Sequence, residues 1–211
     1  MRKTLFCVLM MTLLLSACAG EGSVSAEECA LQIRTEYLAA QSCAGTAVVT
    51  ADYGLRVYDF VLDFVWRREG ETVLTVTDPE ELAGLTAVIE KGASRLEFQG
   101  VSLGTGDLTG EGLTPLEYPP AVMTYIVEGY MAECVFEPAG ERETLRILFR
   151  DPERKPQEGT ECILWFDRET HKLLRAELSQ DGYSVLNSGF VNFTLGVDTN
   201  EMAEDEDLDG N

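Results

Sequence analysis

The sequence contains little of the chemistry that most catalytic and metal-binding sites require. Among its 211 residues there is a single histidine, His171. Zinc sites are built from several His and Cys ligands, and Ser-His-Asp or Cys-His catalysis needs a histidine beside the nucleophile. His171 lies between Glu169 and Lys172 in a predicted hairpin turn, where we expect it on the surface. The sequence therefore predicts no metal, no cofactor and no enzymatic activity.

Basic residues are also scarce. The chain has 16 Lys and Arg against 37 Asp and Glu, a formal net charge of -21. A protein this acidic repels nucleic-acid phosphates and anionic lipid surfaces, and no cluster of Lys and Arg offsets the repulsion. Nucleic-acid binding is excluded. The acidic charge fits solubility in a salty exterior better than it fits a cationic partner.

An apolar run long enough to span a bilayer as a permanent helix, about 20 residues, is missing as well. The longest apolar run extends from Leu5 to Leu15, follows Arg2 and Lys3, and leads into Ser16, Ala17 and Cys18. A charged start, a short apolar run and small residues before the cut are typical of a secretory signal. With a cysteine directly after the small pair, the segment resembles the lipobox of bacterial lipoproteins, whose cysteine receives a diacylglyceryl thioether and becomes the mature N-terminus.

The resemblance implies four parts of the chain. Residues 1–17 are the signal peptide, 18–25 the lipidated Cys18 with a flexible tether, 26–199 a folded domain, and 200–211 an acidic tail that we expect to be disordered. Two or more acyl chains, palmitate among them, hold a protein on a membrane stably. We expect a monomer anchored to the cell membrane through Cys18, on its extracytoplasmic face.

Four cysteines belong to the predicted domain: Cys29, Cys43, Cys134 and Cys162. Their spacing contains neither a C-x-x-C motif nor a zinc pattern. Cys29 and Cys43 lie at opposite ends of one predicted helix, too far apart for a disulfide. Cys134 and Cys162 each fall in a strand-like run, and a bridge between them and two buried free thiols both stay open.

Two helices are predicted. Ser25 and Glu28 form a capping-box pattern, and the apolar residues after it recur at helical spacing, which predicts a helix from Ala26 to Gln41. Thr114 and Pro115 begin a second helical segment. We expect Pro119 and Pro120 to break this segment, so that it resumes from Ala121 to Glu128 as a movable lid.

The other periodic segments predict strands. Between Arg56 and Arg68 large apolar side chains alternate with charged residues and valines, which is typical of an antiparallel strand with one apolar face. A turn follows, and the next strand adds Leu74 and Val76 to that face. Further runs predict about nine to eleven strands in all, whereas the glycine-rich stretch from Leu103 to Gly112 is interpreted as a flexible loop.

The order of these elements resembles the LolA/LolB-like lipoprotein-carrier superfamily. The resemblance rests on Asp78–Gly84 after a strand and on Trp165–Thr170 followed by Leu173–Glu177, and it extends over residues 26–196. It implies an α+β fold: a large curved antiparallel sheet, or incomplete barrel, wrapped around the N-terminal helix and the Pro-broken helical insertion, with an apolar cavity inside. The lipobox favours the anchored, LolB-like branch.

Three hypotheses for function remain. In the first, the half-barrel binds or carries a lipidic or apolar ligand on the apolar face of two strands, formed by Tyr58, Phe60, Leu62, Phe64, Trp66, Leu74 and Val76. In the second, the domain is an envelope interaction or sensing module that docks another protein and binds no ligand. In the third, it is a hydrolase. Alternation by itself does not distinguish a cavity lining from a stripe that packs on the first helix.

Overall fold

A computed structural model describes residues 24–90, 93–106, 113–140 and 142–196. The predicted signal peptide, Cys18, most of the tether and the acidic tail lie outside the described residues. Within these ranges, every helix is too short or too polar to cross a membrane.

The described chain forms two α-helices and eleven strands. Helix α1 comprises Ala26–Ala39 and helix α2 comprises Tyr118–Glu128. A short 3₁₀ turn, Glu80–Leu82, follows the third strand. The strands are β1 (Ser42–Asp52), β2 (Val57–Arg67), β3 (Thr72–Asp78), β4 (Thr86–Ile89), β5 (Ser94–Phe98), β6 (Val101–Gly106), β7 (Met131–Ala139), β8 (Arg142–Arg150), β9 (Thr160–Asp167), β10 (Leu173–Gln180) and β11 (Tyr183–Leu195).

All strands belong to one 11-stranded antiparallel sheet in the order β6-β5-β4-β3-β2-β1-β11-β10-β9-β8-β7. Strands β6 and β7 end the sheet without pairing to each other, so the barrel is open. Alternate residues point to opposite faces, and the buried side chains, such as Leu62 and Phe64, share the face on which both helices pack. We call this the inner face. The predicted α+β class with a curved, open antiparallel sheet is confirmed.

Helix α1 begins as the sequence predicts. The Ser25 hydroxyl accepts the Glu28 N–H at 3.2 Å, and the Glu28 carboxylate accepts the Ser25 N–H at 3.0 Å. At the other end the helix stops at Ala39, two residues earlier than predicted. The guanidinium of Arg68 donates to the carbonyls of Tyr37, at 2.7 Å, and Ala40, at 2.9 Å. A side chain from the sheet thus satisfies carbonyls that lack helical partners.

Helix α2 begins at Tyr118, three residues before the predicted start at Ala121. Its two prolines occupy the first turn, where a missing N–H costs no helical hydrogen bond. The predicted break lies earlier, in the turn that Thr114 closes by accepting the Glu117 N–H at 3.3 Å.

Helix α2 packs into the core of the domain. Tyr118, Val122, Met123 and Ile126 are buried in the common core. Arg34 of α1 also donates from Nε to the Ile126 carbonyl at 2.9 Å and from Nη2 to the carbonyl of residue 129. In this structure α2 packs between the sheet and α1, and its movement as a lid stays a prediction.

The glycine-rich stretch also differs from its prediction. Leu103–Gly106 belongs to strand β6, and residues 107–112 lie outside the described ranges. Strands β5 and β6 are joined by Gln99 and Gly100, both at positive φ, 49° and 82°. Two such residues match the right-handed twist of a hairpin. The hairpin was missed because its turn is Gln-Gly, and glutamine is not a typical residue at this position.

The four cysteines of the domain are all free thiols. Cys134 lies on β7 and Cys162 on β9, with β8 between them. Two inter-strand spacings amount to about 9.5 Å, beyond the Cα separation that a disulfide bridges. Of the two alternatives for this pair, the structure therefore shows free thiols.

Candidate functional site

The predicted ligand-binding face divides into a buried part and an exposed part. Four of its seven residues are buried, with exposed fractions of 3% or less: Leu62, Phe64, Leu74 and Val76. The Phe64 ring packs against Phe190, with centroids 5.9 Å apart, and against Phe193 at 6.4 Å. In this structure these four side chains belong to the buried core.

Trp66, at the other end of the stripe, is half-buried and lies beside α1. Its cross-strand partner is Cys43, and the Arg68 guanidinium stands 5.5 Å from the centre of its ring. The same guanidinium caps α1, so Trp66 is enclosed by the contact between helix and sheet. Trp66 packs against the core and lies at the opposite end of β2 from Tyr58.

Tyr58 and Phe60 continue the stripe toward solvent. Tyr58 is 40% exposed and Phe60 is half-buried, and the two rings stack with centroids 6.3 Å apart. Tyr53, which follows β1, adds a third ring 6.3 Å from that of Tyr58 and is 47% exposed. We call Tyr53, Tyr58 and Phe60 the aromatic row. The sequence identified two of its members, but missed Tyr53 because that residue follows the end of a strand.

Hydrogen bonds hold the outer rings of the aromatic row in place. The Tyr53 hydroxyl donates to the Leu113 carbonyl at 3.1 Å, and Arg56 Nη1 donates to the Tyr58 hydroxyl at 3.4 Å. Burial raises the pKa of Tyr53, and the nearby Glu117 and Tyr58 raise it further, so this phenol stays a protonated donor. The row presents ordered apolar ring faces to solvent.

A second exposed apolar stretch lies on the same inner face at the sheet edge. The pairing register joins Phe64, Leu74, Ala87, Leu96 and Leu103 in one row across five strands. The exposed fraction is 3% at Phe64 and 62% at Leu103, and Val101 beside it reaches 69%. The helices cover the middle of the sheet and leave this edge bare. The sequence does not indicate Leu103 as part of this face, because the glycine-rich stretch that it begins is interpreted as a loop.

His171 is not the surface residue that the sequence predicts. Its side chain is 18% exposed, and Nδ1 lies 2.8 Å and 2.9 Å from the two carboxylate oxygens of Glu36. On the other side, Nε2 lies 3.9 Å from the Cys29 sulfur. Tertiary packing is the cause, because α1 lies across the β9–β10 turn. It brings Glu36 and Cys29, which are 135 and 142 positions away in the sequence, to the His171 ring.

This Cys29-His171-Glu36 arrangement has the order of a thiol catalytic triad but lacks a reactive thiol. Cys29 is 3% exposed, and burial raises the pKa of its thiol, which opposes formation of the nucleophilic thiolate. Glu36 raises that pKa as well, while Arg168 lowers it. Across the described ranges no three His, Cys, Asp or Glu side chains are grouped to hold a metal ion. The contact of Cys29 and Glu36 with His171 joins α1 to the β9–β10 turn of the sheet.

A polar cavity of about 660 Å³ lies at the β9–β10 turn. Four of the charged side chains that line it form two ion pairs, Arg168 with Glu143 and Arg142 with Asp167 at 3.8 Å. Asp167 accepts the Thr170 N–H and hydroxyl at 2.8 and 2.9 Å. Burial raises the pKa of Asp167, but these hydrogen bonds outweigh burial and lower it. The Asp-x-x-Thr turn of the sequence resemblance is therefore a structural turn.

Comparison with known sequences adds no family to these observations. No protein-family model matches the chain. The search of curated proteins likewise gives no match.

Several solved structures are similar to this chain at low sequence identity. A DUF1329 family protein from Desulfovibrio piger is 10% identical, with a TM-score of 0.47 over 82% of this chain and 92% of its own. A LolA superfamily protein from Nitrosomonas europaea is 10% identical, with a TM-score of 0.40 over 82% of this chain and 94% of its own. LprF from Mycobacterium bovis is 14% identical, with a TM-score of 0.43 over 83% and 96%.

At identities of 10–14% and TM-scores of 0.40–0.47, these likenesses assign neither a family nor a ligand to this chain. The open antiparallel sheet around two helices is the architecture that the sequence resemblance implies.

Proposed function

We propose that this chain is an exported lipoprotein, anchored to the extracytoplasmic face of the cell membrane through acylated Cys18, that binds a lipidic or apolar ligand. The observation that carries the proposal is the aromatic row, where the apolar stripe of the inner face leaves the core and meets solvent. Leu62 beside the row is fully buried, while Tyr58 is 40% exposed. The stripe is therefore longer than the helices that cover it.

Exposed rings in a contiguous row need a physical reason. Single exposed apolar residues are normal on soluble proteins, but contiguous patches mark surfaces that bind a ligand, a membrane or another protein. An aromatic side chain buries 150–250 Å² when it is covered, at about 25 cal/mol per Å². A ligand that covers the aromatic row would therefore gain several kcal/mol from this term, by order of magnitude.

The proposed ligand position differs from the one that the sequence predicts. The sequence suggested a cavity along all seven stripe residues, whereas Leu62, Phe64, Leu74 and Val76 are filled core. We place the ligand at the open end of the half-barrel, on Tyr53, Tyr58 and Phe60. A ligand there lies along the inner face and need not enter the core.

Tyr58→Glu is expected to reduce the affinity for a fluorescent fatty acid by about tenfold or more, because it removes a ring and repels the ligand's carboxylate. The side chain is 40% exposed, so the glutamate keeps its hydration and the fold should persist. Fluorescence titration measures the affinity, and thermal unfolding followed by circular dichroism measures the fold.

Val48→Glu is the matched control for Tyr58→Glu. Val48 is 47% exposed and lies on the outer face of β1, the strand next to β2. The substitution therefore adds the same charge on the opposite face of the sheet from the aromatic row. The control should bind the probe like the wild type. A wild type that binds no apolar probe, or equal losses in both variants, would refute the proposed ligand site.

Cys18→Ala is expected to abolish incorporation of a clickable palmitate analogue, because the lipobox cysteine supplies the thioether that starts acylation. In-gel fluorescence of cells fed the analogue measures the label. Cys7→Ala, a change within the predicted signal peptide, is the control and should keep full labelling. Label that survives in Cys18→Ala would contradict the proposed anchor.

A second candidate function rests on strand β6. This edge strand, Val101–Gly106, is exposed along its whole length and carries no charged side chain. Edge strands are usually protected by charges or proline against pairing with another chain. Strand β6 could therefore pair with an extended segment of an envelope protein. Leu103→Lys would weaken such pairing and leave fatty-acid binding at the aromatic row unchanged.

A further inference from the structure

The two edges of the sheet differ in their protection against further pairing. Strand β7 carries Pro138 together with Glu133 and Glu137, and α1 packs beside it. Proline and charged side chains are features that keep an edge strand from pairing with another chain. Strand β6 contains neither, and each of its six residues is exposed. Strand pairing with a further chain is therefore opposed at β7 and open at β6.

The hairpin turn determines which backbone groups of β6 face the open edge. The two residues that flank the β5–β6 turn, Phe98 and Val101, pair with each other. Such a pair exchanges hydrogen bonds, and hydrogen-bonded and non-hydrogen-bonded pairs alternate along an antiparallel ladder. The N–H and C=O groups of Val101 and Leu103 therefore point to β5. Those of Ser102 and Gly104 point outward, where none of the described strands pairs with them.

These outward groups are complementary to themselves. When a second β6 approaches in antiparallel direction with Leu103 opposite Leu103, Ser102 of each copy lies opposite Gly104 of the other. Each of these two pairs then exchanges both N–H···O bonds. The two Leu103 side chains, each 62% exposed in the single chain, meet on the inner face. Val101, which is 69% exposed, meets Thr105 of the other copy.

The charged side chains beside the edge are complementary in the same register. On β5, Arg95 and Glu97 lie on the outer face next to the outward-facing residues of β6. Pairing two copies places Glu97 of one and Arg95 of the other in one row, and the two-fold axis repeats this row. Arg95 is also close to Glu71, at 3.6 Å, and to Glu90, which both lie on the side away from the edge. The charge that faces Glu97 of the other copy is thus the guanidinium.

We propose that β6 is a dimer interface, at which a second copy of this chain adds its own β6 in antiparallel register about a two-fold axis at Leu103. An isologous contact uses the same edge on both copies and closes at two. Growth beyond a dimer would require pairing at β7, which its proline and glutamates oppose. The net charge of -21 on each copy opposes association, but ions screen it beyond about 8 Å at physiological salt.

The dimer differs from the monomer that the sequence predicts. It rests on the same exposed edge as the second candidate function, but it gives that edge a copy of this chain as its occupant in place of an envelope protein. It does not depend on the ligand site, because the aromatic row takes no part in the pairing.

Sedimentation of the full chain in detergent measures the oligomeric state. The wild type should sediment as a dimer. Ser102→Pro should raise the dissociation constant of the dimer at least tenfold, because proline removes the N–H that Ser102 donates across the interface. That N–H points away from β5, so the substitution keeps the hairpin. Ser102→Thr keeps the N–H and is the matched control, which should dimerise like the wild type.

Cysteine cross-linking tests the register. Leu103→Cys should form an intermolecular disulfide on mild oxidation, because opposite residues in a non-hydrogen-bonded pair have Cα atoms about 4.5 Å apart, within the range of a disulfide. Val101→Cys is the control, because Val101 is similarly exposed on the same face of the strand. The two copies of residue 101 are about 13 Å apart in this register and should not cross-link. The wild type, oxidised in the same way, is the blank.

The outcomes separate the possible occupants of the edge. A wild type that sediments as a monomer at every concentration would overturn the dimer and leave an extended segment of another protein as the occupant. A Ser102→Pro variant that melts like the wild type and dimerises equally well would overturn the role of β6. Equal cross-linking of Leu103→Cys and Val101→Cys would overturn the register, and this pair decides by itself if Ser102→Pro does not fold. Fatty-acid binding at the aromatic row is expected to be unchanged in all of these variants.

Discussion

Phe64→Glu is expected to leave the domain unfolded at room temperature. The ring is 3% exposed and packs between Phe190 and Phe193, where a carboxylate finds no cationic partner. Burying an ionised group without a partner costs several kcal/mol or more, against a total stability of about 5–15 kcal/mol for a typical domain. Of the substitutions considered, this one should have the largest effect on folding.

Loss of the cooperative thermal transition, followed by near-UV circular dichroism, measures this outcome. Phe64→Leu keeps the site apolar and is the control, which should still unfold cooperatively at a lower temperature. Comparison with Tyr58→Glu, on the same face of the same strand, separates core from ligand surface. A folded Phe64→Glu protein that only loses probe binding would instead show that the ring lines a cavity.

Arg68→Met is expected to lower the free energy of unfolding by about 3 kcal/mol or more. The substitution removes hydrogen bonds from a charged donor to the carbonyls of Tyr37 and Ala40, each of a kind that contributes about 1.5–3 kcal/mol. It also removes the contact between the guanidinium and the Trp66 ring. Methionine keeps most of the side-chain volume, so the decrease in the free energy of unfolding chiefly measures the contribution of the α1 cap.

Urea denaturation of wild type and variant, compared at equal slope, measures the change. Arg142→Met is the control, because the Arg142 side chain is 72% exposed and its ion pair with Asp167 is long, at 3.8 Å. Exposed ion pairs contribute about 0–1 kcal/mol, so this control should change stability little. Equal losses in the two variants would show that the α1 cap is not a significant source of stability.

Local signals predicted most of the fold correctly. The capping box at Ser25 and Glu28 located the start of α1, because a cap is formed by residues three apart. The period of two along β2 located a long strand, because a strand with one buried face must alternate. Such contacts are close in sequence, so the sequence alone carries the information.

Contacts between residues that are distant in sequence could not be predicted, because no local pattern indicates them. The Cys29-His171-Glu36 contact joins residues more than 130 positions apart, and nothing near His171 indicates it. Likewise, the prolines of α2 were interpreted as a break, because their place in the first turn depends on how the preceding segment is held. The bounds of both helices are set partly by Arg68 and Arg34, which reach them from other elements.

The sequence by itself determined the acidic charge, the lipobox pattern at Cys18, the apolar stripe of β2 and the class of fold. Only the tertiary structure decided which part of that stripe is core and which part meets solvent. The alternation of β2 is the same from Tyr58 to Trp66, but α1 and α2 cover one end of it and not the other. Burial is a property of the surface that packs against a residue, and that surface comes from elsewhere in the chain.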